Sequence, residues 1–320
     1  MNQPVEPPAW SATDDAPSRH DIPQTTPPHT ASLDDSSLHL VDLHTHSTQS
    51  DGTLTPTELV RAASERGLRV LGLTDHDTLS GIAEATAEAH GYDVEVVAGV
   101  ELSTSVSDAH GDIPVHLLGY FVDYDDAALR TELAAFANAR QTRMERIVEK
   151  LNDLGLQITT EDVLTLAGSG TVGRPHIARA LVNLGYVSDL REAFERYLGR
   201  GCPGFVPRPK VETERGIQMI RRAGGVAVLA HPRDLENIAS LLARLAPSGL
   251  GGIEVDYGDY DVQTRNALRQ TAHQWKLVAT GGSDYHGPGI KGRELGGPLV
   301  PLASVELLRA AAGRPASTTG

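Results

Sequence analysis

The sequence predicts an α/β protein in which a mostly parallel sheet, most economically a barrel, is interrupted by a helical insertion. Three observations carry this reading. Short apolar runs alternate with helical patterns over residues 38–122 and again after Arg208. Residues 123–205 break the alternation with helical spacing alone. Histidines and carboxylates follow the apolar runs one after another, and in a parallel barrel the strand ends meet on one rim.

Residues 1–37 carry Pro4, Pro7, Pro8, Pro17, Pro23, Pro27 and Pro28 among Ser, Thr and Asp, and are expected to be a disordered tail. The first barrel part, residues 38–122, opens with the strand-like run Leu38, Leu40, Val41 and Leu43. Thr55-Pro56-Thr57-Glu58 reads as an N-cap with proline at N1 and a carboxylate at N3, starting a helix that Gly67 ends. A second strand follows at 70–73, a helix at about 79–90, and strands at 94–100 and 115–121. In the insertion, Leu129, Leu133, Phe136, Ile147, Val148, Leu151 and Leu154 recur at helical spacing. Further helices are expected at 160–168, 174–184 and 189–198, a natural lid over a barrel mouth. The second barrel part with a C-terminal helix, residues 206–320, reads as helix 213–223, strand 226–229, helix 234–246, strand 252–255, helix 261–274 and strand 277–279.

Composition narrows the function. The 320 residues carry a net charge of −14, from 42 acidic and 28 basic side chains. That argues against long duplex nucleic acid or an anionic membrane surface as partner. It leaves a small anionic substrate open, because bound cations reverse the local charge. No apolar run approaches the roughly 20 residues needed to span a bilayer, and the leading segment lacks a signal-peptide core, so a cytoplasmic protein is expected. The one cysteine, Cys202, has no intrachain partner, and nothing nearby suggests a nucleophile.

The candidate chemistry lies at the strand ends. In an extended chain alternate side chains share a face, so His44 and His46 can grip one ion together, with Asp51 a short loop away for a second. Asp75 and His76 follow the second strand, Glu101 follows the third, and His116 sits within the run at 115–118. His231 follows the run 226–230, and Asp284 and His286 follow the last strand after Gly281-Gly282-Ser283. Each has an ordinary explanation singly: a core histidine at His116, a loop at His231-Pro232, a helix cap at Thr74-Asp75. Their convergence on one rim points to a multinuclear metal site. Imidazole and carboxylate without thiolate suit Mn²⁺, Fe²⁺ or Zn²⁺ in a catalytic rather than a structural site. A carboxylate such as Glu101 can bridge two ions, and paired ions suit hydrolysis at phosphorus.

The set formed by His44-Thr45-His46, Asp51, Thr74-Asp75-His76-Asp77, Glu101, His116, Ala230-His231-Pro232 and Gly282-Ser283-Asp284-Tyr285-His286 resembles the PHP (polymerase and histidinol phosphatase) superfamily of metal-dependent phosphoesterases. The likeness runs from about residue 38 to 297. The stretches 172–179, 197–201 and 204–207 are similar to the branch with nucleoside 3′,5′-bisphosphate phosphatases and a 5′-to-3′ exoribonuclease. The resemblance implies a distorted TIM-like (β/α)7 barrel with a helical insertion domain. It also implies two or three divalent ions per chain, manganese foremost. His44, His46, Glu101 and Asp284 would hold one; Glu101, His116 and His231 a second; Asp51, His76 and His286 a third. A metal-activated hydroxide would attack phosphorus.

On the insertion, the resemblance implies that Arg174 and His176 contact phosphate oxygens, or that His176 gives the leaving group its proton. Arg140 and Arg143 could join them, though a solvated helix face explains that pair equally well. Asp42 and Asp77 could orient ligating histidines, and Asp256 and Tyr257 could line the barrel mouth. His39, His90, His110 and His273 fit surface or packing roles. The expected substrate is a small phosphorylated nucleotide of the 3′,5′-bisphosphate kind, or short 5′-phosphorylated RNA. The alternatives are a histidinol-phosphate-type phosphomonoesterase, a noncatalytic metal-stabilised interaction module, and hydrolysis of a C–N or lactone bond on the same ions.

Overall fold

The computed structural model describes residues 41–108, 111–232, 237–290 and 292–316. The tail expected over 1–37 and the start of the helix expected at 234 lie outside them. Among the described residues seven strands form one sheet in sequence order. β1 (Val41–Thr45), β2 (Val70–Leu73) and β3 (Glu95–Asp108) pair in parallel. β4 (Gly111–Tyr120) runs antiparallel to β3 and to β5 (Val226–Leu229), and the parallel sense resumes through β6 (Gly252–Tyr257) and β7 (Val278–Gly282).

A bridge between Thr45 and Tyr285 closes the sheet, with His46 N donating to Tyr285 O at 2.9 Å. Close approach at this seam explains Gly282, where a Cβ would lie 2.4 Å from the His44 backbone. The sheet is thus the expected seven-stranded barrel. One expectation is corrected: Glu101 does not end its strand. β3 continues to Asp108 and pairs with β4 as far as Asp108 opposite Gly111, a hairpin longer than the two short strands anticipated. The polar alternation Ser103, Ser105, Ser107 hid the continuation, because it lacks the apolar signal of a buried strand.

The helices form where their caps dictate. α1 (Pro56–Glu65) starts at a capping box in which Thr55 and Glu58 satisfy each other's backbone N–H groups, and Gly67 follows its end at φ +74°. α2 (Ile82–Ala89) lies against α1 and β3. Most of the barrel-facing helical residues belong to one large apolar cluster. A second barrel cluster joins Val41, Val70, Val97, Tyr120 and Val226 with Val305 and Leu308 of the C-terminal helix, Leu302–Ala311. These strand residues lie away from the histidines, so the helix plugs the end opposite the rim.

The insertion has its own apolar cluster. α3 (Ala127–Asp153) buries Leu129 and Leu133 against the barrel but Met144, Ile147, Val148 and Leu151 against α4 (Thr160–Ala167) and α5 (Arg174–Asn183). One helix therefore serves both cores. The helix expected at 189–198 is a short α6 (Leu190–Ala193) followed by a π-helical turn, Phe194–Leu198. α7 (Thr213–Arg222), α8 (Ile238–Leu245) and α9 (Val262–Trp275) complete the alternation after the insertion. Among the described residues no helix is long and apolar enough to cross a membrane.

Candidate metal centre

Glu101 stands at the middle of the rim. Its Oε1 lies 2.6 Å from His116 Nδ1 and 3.0 Å from His231 Nε2. Its Oε2 lies 3.1 Å from His76 Nδ1, 3.2 Å from His46 Nε2 and 3.3 Å from His44 Nε2. Because β4 runs against its neighbours, the early half of that strand reaches the same end as the late half of β3, and His116 pairs opposite Ser103. That reversal lets a mid-strand histidine join residues that follow strand ends.

Among the described residues donor atoms gather in three groups, each within 4.8 Å: His44, His46, Glu101 and Asp284; His46, Asp51, His76 and His286; and His76, Glu101 and His116. The partition implied by the resemblance puts His231 with Glu101 and His116. In the structure His76 lies close enough to join that pair, while His231 meets Glu101 Oε1 at 3.0 Å and its ring centre lies 5.1 Å from that of His116.

The chemistry of this cage fits divalent cations. His46 Nε2 and His76 Nδ1 are buried and make no well-aligned hydrogen bond, yet lie 3.1–3.2 Å from carboxylate oxygens of Glu101 and Asp284, an arrangement of converging lone pairs that a cation satisfies. Burial alone would raise the Glu101 pKa, but His76, His116 and His44 outweigh it and hold the carboxyl well below its usual range. Asp51 is held low in the same way by His286 and His76 against its burial. Burial pushes His76 and His116 down. His46 is carried to about 9 because Asp284 and Glu101 overcome its burial.

Buried carboxylates lock the loops behind these donors. Asp42 accepts from Ser283 N, Ser283 Oγ and Gly296 N at 2.9, 2.6 and 2.8 Å. Asp75, on the list of strand-end candidates, instead ties down the first loop by accepting from Ser47 N, Ser47 Oγ and Ser50 Oγ at 2.8, 2.6 and 2.6 Å. Tyr257 OH donates to Asp284 Oδ2 at 2.8 Å, and Arg293 pairs with the same oxygen while stacking 4.4 Å over the Tyr257 ring. Glu254, missed in the sequence, receives His44 Nδ1 at 2.9 Å and His231 N at 2.7 Å. Its one signal was a carboxylate inside the apolar run Ile253-Glu254-Val255. Asp77, His231 and Asp284 all hold positive φ, at 54°, 31° and 53°. Left-handed backbone at non-glycine residues costs on the order of 1–3 kcal/mol each and concentrates at functional sites.

Opposite the rim stands a wall of arginines. A cavity of about 530 Å³ is lined by Asp51, His76, His116 and His286 on one side and by Arg140, Arg143, Arg174, Arg179 and Arg208 on the other. Arg140 and Arg143 are buried, which overturns the solvated-face explanation. Arg140 is committed to Asp77 at 2.6 Å and to Ser103 Oγ at 2.9 Å, so Asp77 orients an arginine rather than a histidine. Arg143 donates to Val206 O at 2.8 Å and Arg174 to Leu198 O at 3.1 Å, with Arg174 also 5.4 Å from the Phe194 ring centre. Among the described residues Arg143, Arg174, Arg179 and Arg208 have no carboxylate partner within 4.0 Å. Burial and the neighbouring guanidinium groups depress Arg143 to about 9 and Arg208 to about 10.

His176 does not join them. It is buried, lies off the cavity wall, and accepts from Gly173 N at 3.0 Å through Nδ1, capping α5. Burial takes it to about 4, so at neutral pH the ring is uncharged. Arg208 and Arg179 were not singled out from the sequence; Arg179 Nη2 donates to Asp51 O at 3.0 Å and so joins insertion to rim.

Residues 42–199 match the PHP domain family. A 3′,5′-nucleoside bisphosphate phosphatase from Chromobacterium violaceum is 35% identical over 261 residues, covering 80% of this chain and 90% of the relative. The 5′-3′ exoribonuclease Rnm of Salmonella typhimurium is 37% identical over 283 residues, covering 86% and 95%. A solved structure described as a metal-dependent phosphoesterase from Bifidobacterium adolescentis superposes with a TM-score of 0.77 at 33% identity, over 84% of this chain and 95% of the other.

Proposed function

This chain belongs to the PHP domain family of metal-dependent phosphoesterases, and from that premise we propose that its substrate carries two phosphates. One is hydrolysed at the rim and the other is read by the arginine wall. The reaction is removal of the 3′-phosphate from nucleoside 3′,5′-bisphosphates, and trimming of short 5′-phosphorylated RNA in the 5′-to-3′ direction. Both substrates set a 5′-phosphate two ester links from the scissile bond. The observation that carries this reading is one cavity with histidines and Asp51 on one side and Arg140, Arg143, Arg174, Arg179 and Arg208 on the other, the last four without a carboxylate partner within 4.0 Å among the described residues.

His44, His46, Glu101 and Asp284 would hold one divalent ion, Asp51, His76 and His286 another, and His116 and His231 a third through Glu101. The donor set suits Mn²⁺, with Fe²⁺ or Zn²⁺ as the alternatives. When bound, such ions supply Lewis acidity to phosphate oxygens and make water a nucleophile at neutral pH. The residues of this chain do the rest. Glu101 holds the imidazoles around a common centre, while Asp42 and Asp75 fix the loops that carry Asp284 and Asp51. Arg174, Arg143 and Arg208 pair with the distal phosphate, whose oxygens match a guanidinium fork two at a time. The helical insertion, residues 123–205, together with Arg208 just beyond it, is in this reading the part that selects the substrate.

The test is kcat/KM with Mn²⁺ on adenosine 3′,5′-bisphosphate, on 3′-AMP, and on an RNA oligomer with and without its 5′-phosphate. Loss of the distal phosphate should cost about 10- to 100-fold, the equivalent of charge-assisted hydrogen bonds of about 1.5–3 kcal/mol. Equal values on 3′-AMP and the bisphosphate would point instead to a small-molecule phosphomonoesterase. No turnover of any of these with Mn²⁺, Mg²⁺ or Zn²⁺ would point to a noncatalytic module.

A further inference from the structure

β6 lies between the strands that precede His231 and Asp284, yet contributes no residue to the three donor groups among the described residues. It is not idle. Register shifts between Glu254 and Asp256, so that Val255 is an extra residue in the pairing with β7. A bulge of this kind re-aims the side chains beyond it. Glu254 and Tyr257, three residues apart, both turn toward the donor cage, while Asp256 meets Arg269 at 2.7 Å.

We propose that Glu254 is a positioning residue for the metal centre, holding the His44 ring and the His231 backbone with its two oxygens. The proposal rests on the metal-centre reading above. Glu254 is fully buried, at 0% exposure. A carboxylate only accepts, so the proton between Glu254 Oε1 and His44 sits on Nδ1. That fixes the tautomer and leaves the His44 Nε2 lone pair facing Glu101 Oε2 at 3.3 Å and Asp284 Oδ1 at 3.5 Å. The other oxygen accepts His231 N–H at 2.7 Å, at a backbone held in the left-handed region. The His44 and His231 rings stack at 19° with centres 6.0 Å apart. One carboxylate therefore sets the aim of two imidazoles that sit on opposite oxygens of Glu101.

Glu254→Gln keeps the size of the side chain. Its oxygen can serve one of the two N–H donors, but its NH₂ then confronts the other. The measurements are Mn²⁺ titration calorimetry on the full chain, thermal melting with chelator and with saturating Mn²⁺, and kcat and KM separately. A protein that melts normally with chelator should bind Mn²⁺ about 10- to 100-fold more weakly, as loss of an outer hydrogen-bond partner does elsewhere. Its kcat should fall with KM little changed, and excess Mn²⁺ should restore part of the rate. A folded Glu254→Gln with unchanged Mn²⁺ affinity and kcat overturns the proposal. If that variant does not fold, Glu254→Asp, too short to span both donors, is judged by the same titration. Failure of both to fold assigns Glu254 to stability alone. Wild type that binds no Mn²⁺ overturns the metal-centre reading instead, a separable outcome.

Discussion

The two walls of the cavity are built on opposite plans. The rim uses short side chains on a closed sheet, and its aim is set by backbone pairing and by carboxylates behind the donors. The insertion wall uses long side chains from helices, anchored to carbonyl oxygens such as Val206 O and Leu198 O. Unlike charges bring the rim together around Glu101. Like charges are forced together on the arginine wall, where the cost appears as the depressed Arg143 of the insertion and Arg208 just beyond it. A site that must place reacting atoms needs the first plan. A surface that must recognise an anion is served by the second, because an arriving phosphate relieves the repulsion it finds.

The comparison predicts losses of different kinds. The largest belongs to Glu101→Gln, which removes the charge that five imidazoles approach. Breaking a buried charge cluster costs about 3–5 kcal/mol, and if that cost falls on the transition state the rate drops about 10²- to 10³-fold or more. Initial rates on the bisphosphate and on 3′-AMP with Mn²⁺ should fall together, and a near-normal rate on either would break the division of labour. Next comes Arg174→Ala or Arg208→Ala, where kcat/KM on the bisphosphate should fall about 10- to 100-fold while 3′-AMP is almost unaffected. Equal losses on both substrates would mean that the arginines serve the rim. The smallest effect is ionic: raising monovalent salt from about 0.05 to 0.3 M should raise KM for the bisphosphate about threefold, more than for 3′-AMP. A flat response would place the distal phosphate away from the guanidinium groups.

The rim was legible because its motifs are local. His44-Thr45-His46 and Asp284-Tyr285-His286 carry their spacing in adjacent residues, and strand ends can be marked from apolar runs. The reversal of β4 was not legible, since strand direction is decided by pairing between segments far apart in sequence. Arg140 and Arg143 shared a helix face, but periodicity shows a face and not what covers it. Glu254 was hidden because a carboxylate inside the apolar run Ile253-Glu254-Val255 does not show which partners meet it, and those partners, His44 and His231, lie on β1 and just after β5. His176 stood beside Arg174 in a family-like stretch, and only the cap on Gly173 shows that its ring is already employed.

The seam between β1 and β7 has a consequence for how the protein comes into being. It joins Thr53 to His286, 233 positions apart, among the most remote contacts a chain of this length can make. His44, His46 and Asp51 lie on one side of it, Asp284 and His286 on the other. A nascent chain that has not yet released β7 and the loop after it from the ribosome carries seven of the nine donors but lacks Asp284 and His286, so two of the three donor groups stay incomplete. The donor cage is therefore completed only with the last of the described strands and the loop that follows it.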